Sequence, residues 1–207
     1  MGRAGHRRVW LRQHAGDPFV RAARQHGYRS RAAYKLIDID DRDRLLQPGM
    51  IVVDLGAAPG GWSQVAVQRV GNRGRVLALD ILPIDAIPGV EIIQGDFSEE
   101  TVFSALLDSL GPRSVDLVLS DISPNISGVR CVDQARATGL AELVLDFAAR
   151  TLKPGGCLLV KVFEGEGVQQ LRDALRRSFH RVITRKPKSS RAQSREYYLL
   201  ATDYNLP

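Results

Sequence analysis

The sequence predicts an α/β fold, a seven-stranded and mostly parallel sheet with an antiparallel last strand and helices on both faces. Three observations lead there. From residue 51 onward, short apolar runs alternate with longer amphipathic ones, as strands alternate with helices. The run Ile51-Val52-Val53 ends in Asp54 and a turn rich in Gly and Pro, followed by an amphipathic segment, which reads as strand, tight turn, helix. Finally, residues 187–194 (PKSSRAQS) between the last two apolar runs are too few for a crossover helix. Those runs must form a hairpin, and the last strand therefore runs antiparallel.

Taken in order, residues 17–25 and 30–40 read as helices, with Ser30 placed to cap the second. Strands are expected near 51–55, 75–80 (RVLALD), 91–95 (EIIQG), 115–120 (VDLVLS), 157–163 (CLLVKVF), 180–186 and 196–202. Helices are expected near 61–70, 99–110, 133–152 and 167–178. There are no repeats or low-complexity tracts. The expected organisation is a basic arm over residues 1–29 packed on one domain spanning 30–207.

Hydrophobic content of 44% suits a globular core, and no run approaches the roughly 18 apolar residues of a membrane span. The N-terminus is Arg-rich and acid-poor, as transit peptides are, but lacks the apolar core of a secretory signal. Cys131 and Cys157 make no disulfide framework, and the four histidines form no ligand-spaced set. A cytoplasmic protein without a metal is expected. The net charge of +6 is uneven: residues 1–31 hold eight Arg and one acid, and residues 181–195 hold six Lys or Arg and no acid. Two short basic grips on an otherwise acidic chain suit a polyanion. Trp10, Tyr28, Tyr197 and Tyr198, interleaved with them, suit stacking on RNA bases.

Ligands of parallel sheets bind at the carboxyl ends of the strands. Asp54, Asp80, Asp96 and Asp121 lie at the ends of the first four strands, and Lys161 lies late in the fifth. Glu196 begins the antiparallel strand and so reaches the same edge. Charged groups are costly to bury without a partner, so five together suggest a site. Gly56, Gly60 and Gly61 let a ligand approach the backbone, and Asp80 follows Gly60 by 20 residues, the offset of an acid that holds ribose hydroxyls. The turn GAAPGG lacks the second glycine of the dinucleotide fingerprint G-x-G-x-x-G, and Asp54 would repel a pyrophosphate. A ribose-bearing cofactor with a positive centre and no phosphate, S-adenosylmethionine, fits better.

The chain also resembles the FtsJ/RrmJ ribosomal RNA 2′-O-methyltransferases, in RSRAAYKL (29–36), VVDLGAAPGGWSQ (52–64), QGDF (94–97), SDISPNISG (120–128), PGGCLLVKVFEGEG (154–167) and KPKSSRAQSREYYLLA (186–201). The likeness runs from about residue 9 to the end. It implies a Rossmann-like S-adenosylmethionine-dependent methyltransferase fold. It also implies a catalytic Lys35-Asp121-Lys161-Glu196 tetrad and cofactor contacts at Gly60, Trp62, Asp80, Asp96 and Asp121. The substrate it implies is a uridine 2′-hydroxyl in the A loop of large-subunit (23S) ribosomal RNA, on the assembled subunit, with the enzyme acting as a monomer. Ser123 stands where bacterial members carry Ala.

Methyl transfer to a hydroxyl needs a base, and free Lys, with a pKa of about 10.4, is a poor one at neutral pH. Burial and a second cation both lower that value, and Lys161 in an apolar strand with Lys35 nearby meets both conditions, while the acids Asp121 and Glu196 pull the other way and must be balanced against this. Lys161 is thus the expected general base, with Asp121 holding it and Lys35 and Glu196 orienting the ribose. Other acceptors read poorly. The segment DISPN lacks the aromatic of base amino-methylating enzymes, and neither cysteine sits where pyrimidine C5 chemistry needs a nucleophile. Action on tRNA or an mRNA cap, a noncatalytic RNA-binding assembly factor and a nicotinamide oxidoreductase are the competing functions.

Overall fold

The strands are where apolar periodicity puts them, and both faces of the sheet are covered. The computed structural model describes residues 17–110, 114–124, 127–191 and 194–205. Residues 1–16 of the expected basic arm, including Trp10, lie outside the described residues. Helices α1 (Pro18–Gln25) and α2 (Ala33–Asp43) precede β1 (Ile51–Leu55), α3 (Gly61–Val70), β2 (Arg75–Asp80) and β3 (Val90–Gln94). Then follow α4 (Glu100–Leu110), β4 (Val115–Ser120), α5 (Arg130–Thr151), β5 (Leu152–Phe163), α6 (Val168–Ser178), β6 (Phe179–Arg185) and β7 (Glu196–Tyr204).

The seven strands lie in the order β3-β2-β1-β4-β5-β7-β6. β1 pairs in parallel with both β2 and β4, so the order reverses beside it, and a crevice opens at the carboxyl ends there. β7 is antiparallel to β5 and β6, as the short connection requires. Its register with β5 sets Tyr198 opposite Lys161 and Glu196 opposite Phe163, bringing the first residue of β7 to the end of β5.

Alternation along β1 sends Val52 to one face and Val53 and Leu55 to the other, and both sets are fully buried. On one face Val53, Leu77 and Val118 pack under α4, α5 and α6, where Phe97, Phe103 and Phe147 meet edge-on or tilted at 5.5–5.8 Å. On the other, Leu117, Leu159 and Leu200 pack under Leu36, Ile39, Trp62 and Val65 of α2 and α3.

Two local expectations need correction. The second helix begins at Ala33 and extends to Asp43, and Ser30 does not cap it: Ala32 holds the cap position with a helical backbone and no side-chain bond. Residues 30–32 instead form a tight turn, whose carbonyls bond the amides of Ala33, Tyr34 and Lys35. β5 starts at Leu152, five residues early, because a register shift between Val115 and Leu117 lets Lys153–Gly156 bulge outward before the ladder resumes at Cys157. α1 begins as expected, with Asp17 accepting from the Phe19 amide and Pro18 in the first turn. It lies on α2 through Phe19 and Tyr34, ring centroids 5.6 Å apart.

Candidate active site

Two cavities open at the carboxyl edge, and they differ in charge. The first, about 510 Å³, lies at the switch point. Its described lining runs from Gly56 and Ala58 in the β1 turn through Asp80–Leu82 after β2 and Gly95–Ser98 after β3 to Asp121–Pro124 after β4. Three carboxylates, Asp80, Asp96 and Asp121, face it, and no basic side chain is among its described lining residues. The Asp80 carboxylate accepts from the amides of Ala58 and Leu82, each at 2.9 Å, which ties the β1 turn to the end of β2. Asp96 accepts from the Ser98 hydroxyl (2.6 Å) and amide (2.8 Å), and these donors hold its pKa below the usual carboxylate value. The volume suits a small-molecule cofactor. The charge suits a cation-bearing one without phosphate.

Asp54, Gly60 and Trp62 are not in the described lining of this cleft. Asp54 is fully buried behind it, and its Oδ2 accepts from Ser63 Oγ at 2.6 Å. Burial pushes its pKa up to about 7, the Asp121 and Asp80 carboxylates add to this, and the Ser63 bond opposes it. Among the described residues its Oδ1 has no hydrogen-bond partner. Trp62 is 3% exposed, donates its indole N–H to the Ala32 carbonyl at 2.8 Å, and lies 5.5 Å from the Tyr198 ring. At Gly60, with φ 107°, a Cβ would fall 2.6 Å from Ile87 Cδ1 and 3.2 Å from Arg29 Nη1. At Gly61 it would fall 2.5 Å from Ser30 Oγ. These two glycines make room for the N-terminal segment, while a Cβ on Gly56, which does line the cleft, would strike Ile122 at 2.7 Å.

The second cavity, about 440 Å³, is lined by Arg31, Ala32, Lys35, Arg191, Ser194 and Glu196. Arg31 is paired with Asp17 and donates to the Ser189 carbonyl. Burial lowers its pKa, and the nearby Arg191 guanidinium lowers it further. Lys35 Nζ is 2.7 Å from Glu196 Oε1, an ion pair joining residues 161 positions apart through α2 and the start of β7.

Lys161, Asp121 and Tyr198 form one cluster, and its Asp121 lines the first cavity. Lys161, with 4% of its side chain exposed, lies 3.0 Å from Asp121 Oδ1 and donates to the Asp121 carbonyl at 2.5 Å. The Tyr198 hydroxyl donates to the same Oδ1 at 2.7 Å. Burial, with the Asp121 carboxylate beside it, pushes the Tyr198 pKa well above that of a free phenol. Lys35 Nζ stands 5.8 Å from the Tyr198 ring, so this ring lies between the two lysines. Lys35, Asp121, Lys161 and Glu196, scattered through the chain, are thus brought together. Tyr198 escaped the sequence reading as a member of this cluster, although it shares a face of β7 with Glu196, two residues away.

The stacking expectation is corrected for two residues. Tyr198 is fully buried and Tyr197 is 9% exposed, because both faces of β7 are covered: Tyr198 packs with Leu36 and Trp62, and Tyr197 belongs to the core cluster of Val168 and Leu171. Tyr28 packs edge-on against Tyr34 at 5.8 Å. The basic segments are also partly committed. Arg185 is held by both Asp43 oxygens at 2.6 Å, whereas Arg21, Arg24, Lys188 and Arg191 are exposed. Among the described residues no helix is long and apolar enough to cross a membrane, and no three or more His, Cys, Asp or Glu side chains gather to hold a metal.

Comparison with known proteins agrees with this geometry. The model of the FtsJ-like methyltransferase family matches residues 28–204. A ribosomal RNA large subunit methyltransferase E from Alkalilimnicola ehrlichii is 61% identical over 204 residues, 99% of this chain and 97% of that protein. Its namesake from Pseudomonas aeruginosa is 54% identical, with 99% of each chain covered. A crystal structure from Plasmodium falciparum, assigned as a ribosomal RNA methyltransferase, superposes with a TM-score of 0.77 at 32% identity, covering 86% of this chain and 98% of that one.

Proposed function

The chain belongs to the FtsJ-like methyltransferase family, and we propose that it methylates the 2′-hydroxyl of a uridine in the A loop of large-subunit ribosomal RNA, on the assembled subunit. The observation that carries the reading is the buried Lys161, held by Asp121, a carboxylate that lines the acidic cleft. The methyl donor is S-adenosylmethionine, which supplies an electrophilic methyl on a sulfonium. In this reading Gly56, Asp80, Asp96 and Asp121 hold the donor. Asp80 takes the ribose hydroxyls with the lone pairs left by Ala58 and Leu82. Gly60, Trp62 and Asp54 shape the site from behind.

RNA enters from the basic cavity, steered by Arg21, Arg24, Lys188 and Arg191. The Lys35–Glu196 pair orients the reacting ribose. Lys161, as the neutral amine, would accept the 2′-proton while the hydroxyl oxygen takes the methyl group that the bound donor would supply, the donor leaving as a neutral thioether. Asp121 keeps the Lys161 amine on that line through its carboxylate and its carbonyl. The protein works as a cytoplasmic monomer.

The test is methyl transfer from labelled S-adenosylmethionine to purified large subunits, free large-subunit RNA and tRNA, with nuclease mapping of the label. A 2′-O-methyluridine in the A loop of the subunit is expected. Label confined to tRNA, or a label on a base, would discard the reading.

A further inference from the structure

We propose that Arg29, within the basic N-terminal segment, is not a grip for RNA but a positioning residue for the acidic cleft. Its guanidinium donates through Nη1 to the carbonyls of Asp85 (2.6 Å) and Pro59 (3.2 Å), and through Nη2 to that of Ala86 (2.8 Å). Among the described residues no carboxylate forms an ion pair with it. Pro59 adjoins Ala58 in the β1 turn, and Asp85 and Ala86 lie in the segment after β2 whose first residues, Ile81 and Leu82, line the cleft. Residues 81–89 form no helix or strand. Arg29 supplies donors at once to carbonyls of both segments that border the cleft.

The surroundings are built to admit this side chain. The Arg29 amide donates to Gln64 Oε1 at 2.9 Å, and Gln64 Nε2 donates to the Gly27 carbonyl at 3.0 Å, which fixes the backbone against α3. Gly60, lacking a Cβ, leaves the volume that Arg29 and Ile87 fill. A planar fork reaches three carbonyls in two segments, whereas a lysine ammonium on a flexible stem cannot reproduce that geometry.

The inference rests on the reading of the cleft as the S-adenosylmethionine site. The experiment is titration of the parent protein, R29Q, R29K and R191Q with S-adenosylmethionine by calorimetry, and with large-subunit RNA over a range of salt. Steady-state KM and kcat for the donor are measured in parallel, all at a temperature where thermal melts show each protein folded. R29Q is expected to raise the donor Kd and KM on the order of tenfold, with R29K between it and the parent. Saturated kcat, RNA affinity and its salt slope should stay at parental values, and R191Q should show the opposite pattern. Loss of RNA affinity and a shallower salt slope in R29Q and R29K, with donor binding intact, would overturn the inference, as would parental values throughout. Should R29Q fail to fold, parental donor affinity in R29K overturns it. A parent that binds no donor removes the cofactor reading itself, and the inference with it.

Discussion

The acidic cleft and the basic cavity lie at one edge of one sheet, yet they solve opposite electrostatic problems. The cleft presents Asp80, Asp96 and Asp121 from the ends of three parallel strands, and no described basic side chain lines it. The cavity gathers Arg31, Lys35 and Arg191 from the N-terminal segment and the β6–β7 loop, with Glu196 as its one described lining carboxylate. Parallel strands deliver carboxylates in register, so the cleft follows from local βαβ architecture. The cavity is assembled from opposite ends of the chain and depends on long-range pairing. The difference teaches that cofactor and polyanion can be kept apart by charge, with Asp121, which lines the cleft, and the Lys161 and Tyr198 side chains bonded to it forming the wall behind the cleft.

The sharpest way to break this division is at the wall. K161A should lower kcat by about a thousandfold or more while calorimetry finds the donor still bound. Turnover near the parental rate would remove Lys161 as the base. D80N should weaken the donor about tenfold, and RNA affinity measured by filter binding should stay unchanged. A selective loss of RNA affinity would mean that the cleft is misassigned.

Asp54 tests how deep the acidity of the cleft runs. Its carboxyl, raised from 3.8 to about 7, holds a proton in the native state that the unfolded chain releases. That contribution to stability is complete below about pH 4 and is lost as pH rises toward 7. D54N removes the titration, so the parent should lose stability relative to D54N across this window, by at most about 1.4 kcal/mol per pH unit. Parallel pH dependences of stability would show that Asp54 titrates alike in the folded and unfolded chain. The smallest effect belongs to Y198F. It removes the Tyr198 hydrogen bond to Asp121 Oδ1 and should lower kcat about three- to tenfold, without moving the donor Kd. An unchanged kcat would reduce Tyr198 to packing.

Much of this molecule was legible in the chain as written. Element order, the antiparallel last strand and the row of acids at strand ends follow from periodicity, connection length and the rule that parallel strands share an edge. All three are properties of neighbouring residues. The four residues of the expected tetrad were named from motifs, with Asp121 holding Lys161, but the Lys35–Glu196 ion pair was not. Lys35 meets Glu196 only because β7 sits beside β5 and α2 packs over that face.

Other parts were decided by the tertiary structure alone. Tyr198 reads as an aromatic among basic residues and turns out buried, because α2 and α3 pack over its face of the sheet. Asp54 reads as a charged strand end, but Ser63 and complete burial set its protonation. Gly60 and Gly61 read as room for a ligand, and they also make room for Arg29, Ile87 and Ser30. Arg29 reads as one more cation in a basic segment, and only the folded chain supplies the three carbonyls that occupy it. Backbone periodicity is written within a few residues, whereas burial, partner and protonation depend on which distant segments the fold brings into contact.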